Sequence, residues 1–333
     1  MTSSGRSQTD SKPLVSYVIA TYGRPDELVD AVESVVAQDY RPLELFVVGD
    51  TAPAVRAMFE EGGRFDRDWI EFTREAERTS PAHSKNVGFE RASGEYLIHI
   101  DDDAELADPD ATRTVLDVFD RHPDVGVISF QSKDPETHEV KLEETPDTPV
   151  PGMEPTRPYL APNFVGVGAA IRRSVLETAG TYPDEFGYGF EEMDLSLRVH
   201  DTGYDILYTP EVVVYHKKSD AGRIPDLETK ERLVENRINI AVRNLPWRYV
   251  FFTALIWSVY AIVNTRRIRS LVRIYTRIYR KHESLLEARS VVSPATIARI
   301  KSRKTMLFLW WYGPHPRRIV GPNGELDRLT WEN

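Results

Sequence analysis

The run Gly94-Glu95-Tyr96-Leu97-Ile98-His99-Ile100-Asp101-Asp102-Asp103 leaves few folds open, because an apolar segment entered from a glycine stops abruptly at three carboxylates. Its length and its Ile, Leu and Tyr content predict a buried strand of a parallel sheet. The acids then stand at the strand's C-terminal end, the edge at which open α/β sheets bind ligands. Alternation places Asp101 and Asp103 on one side and Asp102 on the other. Like charges this close repel unless a cation neutralises them, and carboxylate oxygens suit a hard ion such as Mg2+ or Mn2+. Taken alone, the stretch also fits a polar turn with solvated acids.

Strands and helices alternate on both sides of it. Leu14 to Ala20 predicts a first strand, followed by the loop Thr21-Tyr22-Gly23-Arg24-Pro25, whose proline suits a first helical position. Asp26 to Gln38 carries Leu28, Val32, Val35 and Val36 at helical spacing. Leu43 to Val48 predicts a second strand with Gly49-Asp50-Thr51 at the ligand edge, and Trp69 to Thr73 a third. Ser80-Pro81 caps a helix that Gly94 ends, and Asp108-Pro109 repeats the start signal for a helix to about Arg121. Val125 to Phe130 and Gly166 to Ile171 read as strands around a loop at 132–160 rich in Pro, Thr and Glu.

Phe186 to Phe190 is a glycine-flexible aromatic loop running into a helix with Glu191 and Glu192 in its first turn, where the helix N-terminus favours ionised carboxylates. On the same helix Asp194 and Arg198 are four apart and can pair. Ile206 to Tyr208 and Val212 to Tyr215 predict two short strands, with His216 directly after. The pattern is that of an α/β fold with a mainly parallel central sheet.

With no cysteine, disulfides, thiolate metal sites and cysteine nucleophiles are excluded. Residues 1–12 are polar and lack an apolar core, which predicts a loose tail and places the body of the chain in the cytoplasm. The net charge of −10 conceals a division: residues 228–333 carry 20 Lys+Arg against 8 Asp+Glu, so everything upstream is strongly acidic. An acidic body disfavours nucleic acid as a partner. No G-x-G-x-x-G follows the first strand, and neither G-x-x-x-x-G-K-[ST] nor G-x-S-x-G occurs, which argues against dinucleotide oxidoreductases, P-loop NTPases and α/β-hydrolases. What remains is an acidic metal site with a separate pair of glutamates. A divalent ion can neutralise a diphosphate leaving group while a carboxylate takes a proton from an attacking hydroxyl, which is the demand of glycosyl transfer from a nucleotide sugar.

Three segments in order, SYVIATYGRPDELVDAVESVVAQDYRPLELFVVGD, SKNVGFERASGEYLIHIDDD and GFEEMDLSLRVHDTGYDILYTPEVVVYH, resemble family 2 glycosyltransferases of the GT-A fold across roughly residues 14–220. The resemblance implies a catalytic domain over 13–222. Within it, Thr21, Tyr22 and Arg24 would lie against the nucleoside and Asp50 would contact the base. Asp101, Asp102 and Asp103 match the D-x-D motif, with Asp103 on the metal and Asp101 or Asp102 nearer the ribose and diphosphate; Asp101 is also a candidate metal ligand. Glu192 falls at the column of the catalytic base, and Glu191 stays in contention because a glutamate replaces the family's usual aspartate. VVGD stands where VVDD is commoner, and SKN where ARN is, making Lys85 either a diphosphate contact or a lysine on a solvated helix face. His216 lies where some members offer a further metal ligand.

Residues 223–333 form a basic, apolar helical region. The 17 uncharged residues from Tyr249 to Thr265 are bracketed by Arg243 and Arg248 before and Arg266, Arg267 and Arg269 after. Arg273, Arg277, Arg280 and Lys281 follow among apolar residues, and MLFLWWYG begins at Met306. Apolar helices edged with Arg, Trp and Tyr suit an anionic membrane surface, and the alternatives are a span, a re-entrant hairpin or a helix packed on the catalytic domain. The expectation is an inverting glycosyltransferase using Mn2+ or Mg2+, held at the cytoplasmic face of the membrane through about 247–312. It would transfer from a nucleotide sugar, UDP-linked, to a polyprenyl- or dolichyl-phosphate-linked acceptor, resembling enzymes of dolichol-linked N-glycan assembly. Alternatives are exopolysaccharide or surface-polymer synthesis, a sugar nucleotidyltransferase, and an inactive membrane scaffold.

Overall fold

The computed structural model describes residues 12–49, 52–75, 79–147, 155–218 and 225–303. Strand β1 (Val15–Thr21) is apolar on both faces, and helices cover both. The chain continues through α1 (Pro25–Val36), β2 (Leu43–Gly49), α2 (Pro53–Ala57), β3 (Ile70–Arg74), α3 (Pro81–Arg91), β4 (Tyr96–Asp101), β5 (Ala104–Leu106), α4 (Ala111–Arg121) and β6 (Val125–Lys133). A 3-10 turn at Leu142–Glu144 precedes β7 (Tyr159–Ala161), β8 (Gly168–Arg172), α5 (Arg173–Ala179), α6 (Glu191–Asp201) and β9 (Asp205–His216).

Among the described residues the strands form one sheet in the order β3-β2-β1-β4-β8-β6-β9-β5, with β7 paired to β9. Strands β1, β2, β3, β4, β6 and β9 run in one direction; β5, β7 and β8 oppose them. The sheet is thus mainly parallel, as expected, with an antiparallel strand inserted beside β4. One apolar layer joins Leu28 and Val32 of α1 to Val115 and Leu116 of α4. On the other face Phe89 of α3, Val175 of α5 and Leu195 of α6 pack together.

Two local expectations are corrected. The helix expected from Asp108-Pro109 starts at Ala111, because the Asp108 and Pro109 carbonyls accept hydrogen bonds from Gln38 and from the Asp39 backbone at the end of α1. The two short strands expected around Pro210 are a single strand β9, whose register against β6 shifts between Thr209 and Val213 to absorb the interruption. Its far end is paired antiparallel with β5, Ala104 opposite His216, which brings the strand carrying His216 alongside the carboxylates.

Helices α7 (Asp226–Asn244), α8 (Trp247–Thr265), α9 (Ile268–Arg280), α10 (His282–Glu287) and α11 (Pro294–Ser302) follow the sheet. On α8, Tyr249, Thr253, Trp257 and Ala261 are buried at a spacing of one helical turn. On its opposite side Phe251, Leu255, Val259 and Val263 are exposed, and Ile268, Val272, Tyr275 and Tyr279 form a second exposed stripe on α9. No helix among the described residues is long and apolar enough to cross a membrane. Three of the basic residues expected at a lipid surface are paired with acids of α7: the exposed Arg273 and the half-buried Arg277 meet the buried Glu231, and Arg277 and Lys281 the buried Glu235. The tail 1–11 and the MLFLWWYG run lie outside the described residues.

Asp194 is one of the residues that join the helical unit to the sheet. Fully buried on α6, it accepts from Arg198 as expected, and also from Arg243 Nε at 3.0 Å and Asn244 Nδ2 at 2.6 Å on α7. Removing one member of a buried ionic cluster strands the others, so Asp194→Ala should lower the free energy of unfolding by about 3–5 kcal/mol, read from denaturant melts.

Candidate active site

The three carboxylates at the end of β4 are not equivalent. Asp102 and Asp103 are buried and Asp101 is partly exposed. Arg24 Nη1 lies 2.8 Å from Asp102 Oδ1 and 3.0 Å from Asp103 Oδ2, and the Tyr22 backbone N–H donates to Asp102 Oδ2 at 3.2 Å. Lys85 Nζ donates to Asp101 Oδ1 at 3.0 Å and to the Gly166 carbonyl at 3.1 Å. His216 Nε2 is 3.1 Å from Asp103 Oδ1. Each acid therefore already has a cationic partner within the protein. Burial raises Asp102 to about 6, with Arg24 opposing it. Burial would lower His216, but its hydrogen bonds to Asp103 and Glu144 carry it up to about 9.

Glu144 is a residue that sequence reasoning missed. Its Oε2 sits 2.8 Å from His216 Nδ1 and is held by Ser132 Oγ at 2.6 Å, which leaves Nε2 directed at the acids. Carboxylates behind a histidine in this way fix ligating imidazoles. No periodicity marks it within the Glu-rich loop, and only the fold of that loop brings it to β9. Ligand atoms of Asp101, Asp103 and His216 lie within 4.8 Å of one another, and two carboxylates with one imidazole suit Mn2+ or a similar divalent ion. An ion at Nε2 would take the place of the proton there.

Glu191 and Glu192 open α6, as expected, but they do not behave as solvated first-turn acids. Both are raised, each chiefly by burial; Glu192 reaches about 8, with the charge of Glu191 adding to the effect. Burial here outweighs the helix N-terminus that was expected to keep them ionised. Glu191 is buried with Oε2 lacking a partner, whereas Glu192 is partly exposed. Lys85 is likewise buried, not on a solvated face, and the charges of Asp101, Glu192 and Glu191 hold its pKa up against burial.

The Gly166 backbone makes room for Glu192. A Cβ at Gly166 would stand 1.9 Å from Glu192 Oε1, and since that atom ends a flexible side chain the carboxylate would move before the fold did. Displacing a reacting group by about 1 Å costs on the order of 100-fold, so Gly166→Ala should lose about that factor in kcat with its melting temperature nearly unchanged.

Gly49 accounts for VVGD. At φ +129 its Cβ would meet the Thr21 carbonyl at 2.1 Å, so no side chain fits where the family more often has an aspartate. Asp50 lies outside the described residues. Thr21, Tyr22, Arg24, Lys85, Asp101, Asp102, Asp103, Glu191, Glu192 and His216 all line a single cavity of about 1320 Å³. The structure thus gathers every described candidate, while turning Arg24 and Lys85 toward the carboxylates.

A mainly parallel sheet with an acidic cluster at the end of β4 and a carboxylate-bearing helix across one cavity is the arrangement of a GT-A glycosyltransferase. Residues 16–180 match the family model described as glycosyl transferase family 2, and the chain is a glycosyltransferase carrying a domain of that family. It is 27% identical over 61% of its length to a glucosyl-dolichyl phosphate glucuronosyltransferase of Haloferax volcanii, of which the match spans 69%. It is 32% identical over 28% of its length to a GalNAc(5)-diNAcBac-PP-undecaprenol beta-1,3-glucosyltransferase of Campylobacter jejuni, of which the match spans 31%. Among solved structures, the mannosyltransferase PcManGT of Pyrobaculum calidifontis superposes with a TM-score of 0.52 at 18% identity, covering 88% of this chain and 85% of that one.

Proposed function

We propose that the protein is an inverting, divalent-metal-dependent glycosyltransferase that moves a sugar from a nucleotide sugar, UDP-linked, to a polyprenyl- or dolichyl-phosphate-linked acceptor in protein N-glycosylation, at the cytoplasmic face of the membrane. The observation that carries it is the common cavity lined both by Glu192 and by the Asp101, Asp103 and His216 cluster. Glu192 takes the proton of an acceptor hydroxyl, whose oxygen attacks the anomeric carbon. The bond from that carbon to the diphosphate breaks on the opposite side, and the configuration inverts. Asp101, Asp103 and His216 would hold the ion, which when bound supplies positive charge to the departing nucleoside diphosphate. Thr21, Tyr22 and Asp50 flank the nucleoside in this reading, and Arg24 and Lys85 keep the carboxylates in place.

The acceptor class draws support from two sources. The Haloferax and Campylobacter relatives carry dolichyl phosphate and undecaprenol in their names. The stripes of exposed apolar residues on α8 and α9 are suited to a lipid surface, with Arg266, Arg267 and Arg269 beside them. Relatives among staphylococcal poly-beta-1,6-N-acetyl-D-glucosamine synthases favour a second reading, synthesis of a surface polymer.

A thermal-shift series with UDP, GDP and dTDP, each with and without Mn2+, tests the donor site, since a ligand of the native state raises its stability. A Mn2+-dependent shift with UDP is expected. A shift with GDP alone would replace the donor nucleotide, and none with any of them would sink the reading.

A further inference from the structure

Among the described residues, one arginine of helix α7 has no carboxylate in ion-pair contact with its guanidinium. The guanidinium of Arg237 lies 3.8 Å from the ring centroid of Phe190, in the loop leading into α6, and 3.9 Å from that of Trp257 on α8. Its hydrogen bond among the described residues is a long one, 3.4 Å from Nη1 to the Leu233 carbonyl, and its buried Nε has no acceptor. Asp147 and Tyr260 favour its charge from a distance, but burial outweighs them and pushes its pKa down to about 10. The other arginines of α7 differ: Arg232 pairs with Glu228, and Arg243 with Asp194 and Glu185. Stacking on two rings offsets only part of the desolvation of a guanidinium without a counter-anion.

Its position indicates the missing anion. Arg237 lines the same cavity as Glu192 and the acidic cluster, together with Phe190, Thr229 and Leu233. Trp257, against which it stacks, has its back to the exposed apolar stripe of α8. The residue therefore stands between the cleft and the inner side of α8, with the apolar stripe on that helix's outer side. We propose that Arg237 receives the phosphate or diphosphate of a polyisoprenoid-linked acceptor, a step that rests on the acceptor class proposed above. Its planar fork suits two phosphate oxygens at once, and the rings on either side hold it flat. The sugar beyond that phosphate enters the cavity that Glu192 lines, and the hydrocarbon leaves over α8.

The test uses the full chain in EDTA, with farnesyl diphosphate below its micelle threshold and, separately, inorganic pyrophosphate, followed by calorimetry. Arg237→Met keeps the apolar stem between the rings and should weaken farnesyl diphosphate binding by at least about tenfold, the worth of a charge-assisted bidentate contact. Arg237→Lys should fall between it and the wild type, and carries the test alone should the Met variant not fold. The Mn2+-dependent nucleotide shift should be the same in all three proteins. Equal farnesyl diphosphate binding by wild type and variants, with that shift intact, overturns the role of Arg237 and leaves the glycosyltransferase reading standing. Absence of the nucleotide shift from the wild type itself would bring down that reading and this one together. Pyrophosphate bound as tightly as farnesyl diphosphate, with the same dependence on Arg237, would mark a free-anion site and overturn the lipid assignment.

Discussion

Glu192→Gln should cost about 10³-fold in kcat, the usual worth of a general base, while the protein stays folded and binds donor nucleotide as before. The amide keeps the size of the carboxylate and its place beside Gly166, so only the capacity to take a proton is lost. The substitution also has a signature in stability. The folded pKa of Glu192 stands near 8 against an ordinary 4.5, so the carboxyl contributes stability that is fully present below the lower value and is lost as pH rises through the higher one. Wild-type melting temperature should therefore fall relative to Glu192→Gln between pH 4.5 and 8. Near-normal turnover in the variant would move the base to Glu191. Parallel pH curves would show that Glu192 is not the group that burial holds protonated.

Asp103→Ala should be similarly severe, with turnover down about 10³-fold because several kcal/mol of charge stabilisation at the leaving group depend on the ion's being held. The loss should appear first in binding. The Mn2+-dependent part of the nucleotide shift should vanish, whereas any metal-independent part persists, because Tyr22 and Asp102 remain. Without Asp103 the buried His216 keeps Glu144, and Arg24 keeps Asp102, so the fold should survive. Retention of both turnover and the Mn2+ response would exclude Asp103 as a ligand.

The elements that hold these residues were legible wherever one local rule decides the outcome. A glycine, an apolar run and three acids define β4 and its ligand edge, and a cap followed by proline marks α3, whose Ser80 Oγ accepts from the His83 N–H. What stayed hidden depends on partners distant in sequence. The three-residue β5 is too short to show a period, yet its pairing with β9 brings the strand of His216 to the acids. Glu144 gains its role only from the folding of the loop between β6 and β7. Arg273 and Arg277 of α9 read as part of a membrane-facing edge because nothing local reveals that Glu231 and Glu235 wait on α7. The raised pKa of Glu192 likewise depends on how the fold encloses the Glu191–Glu192 pair, which a first-turn position does not disclose.

The Asp194 cluster has a consequence for which acceptors can react. It joins the helix that begins with Glu191 and Glu192 to α7, and α7 in turn carries the apolar faces of α8 and α9. Were those faces to rest on a bilayer, as proposed above, the height of Glu192 above the lipid would be set by the protein and not by the substrate. The enzyme would then work as a depth gauge: a hydroxyl carried too low or too high on a lipid anchor would miss the carboxylate, and the length of the glycan already built would decide whether another sugar is added.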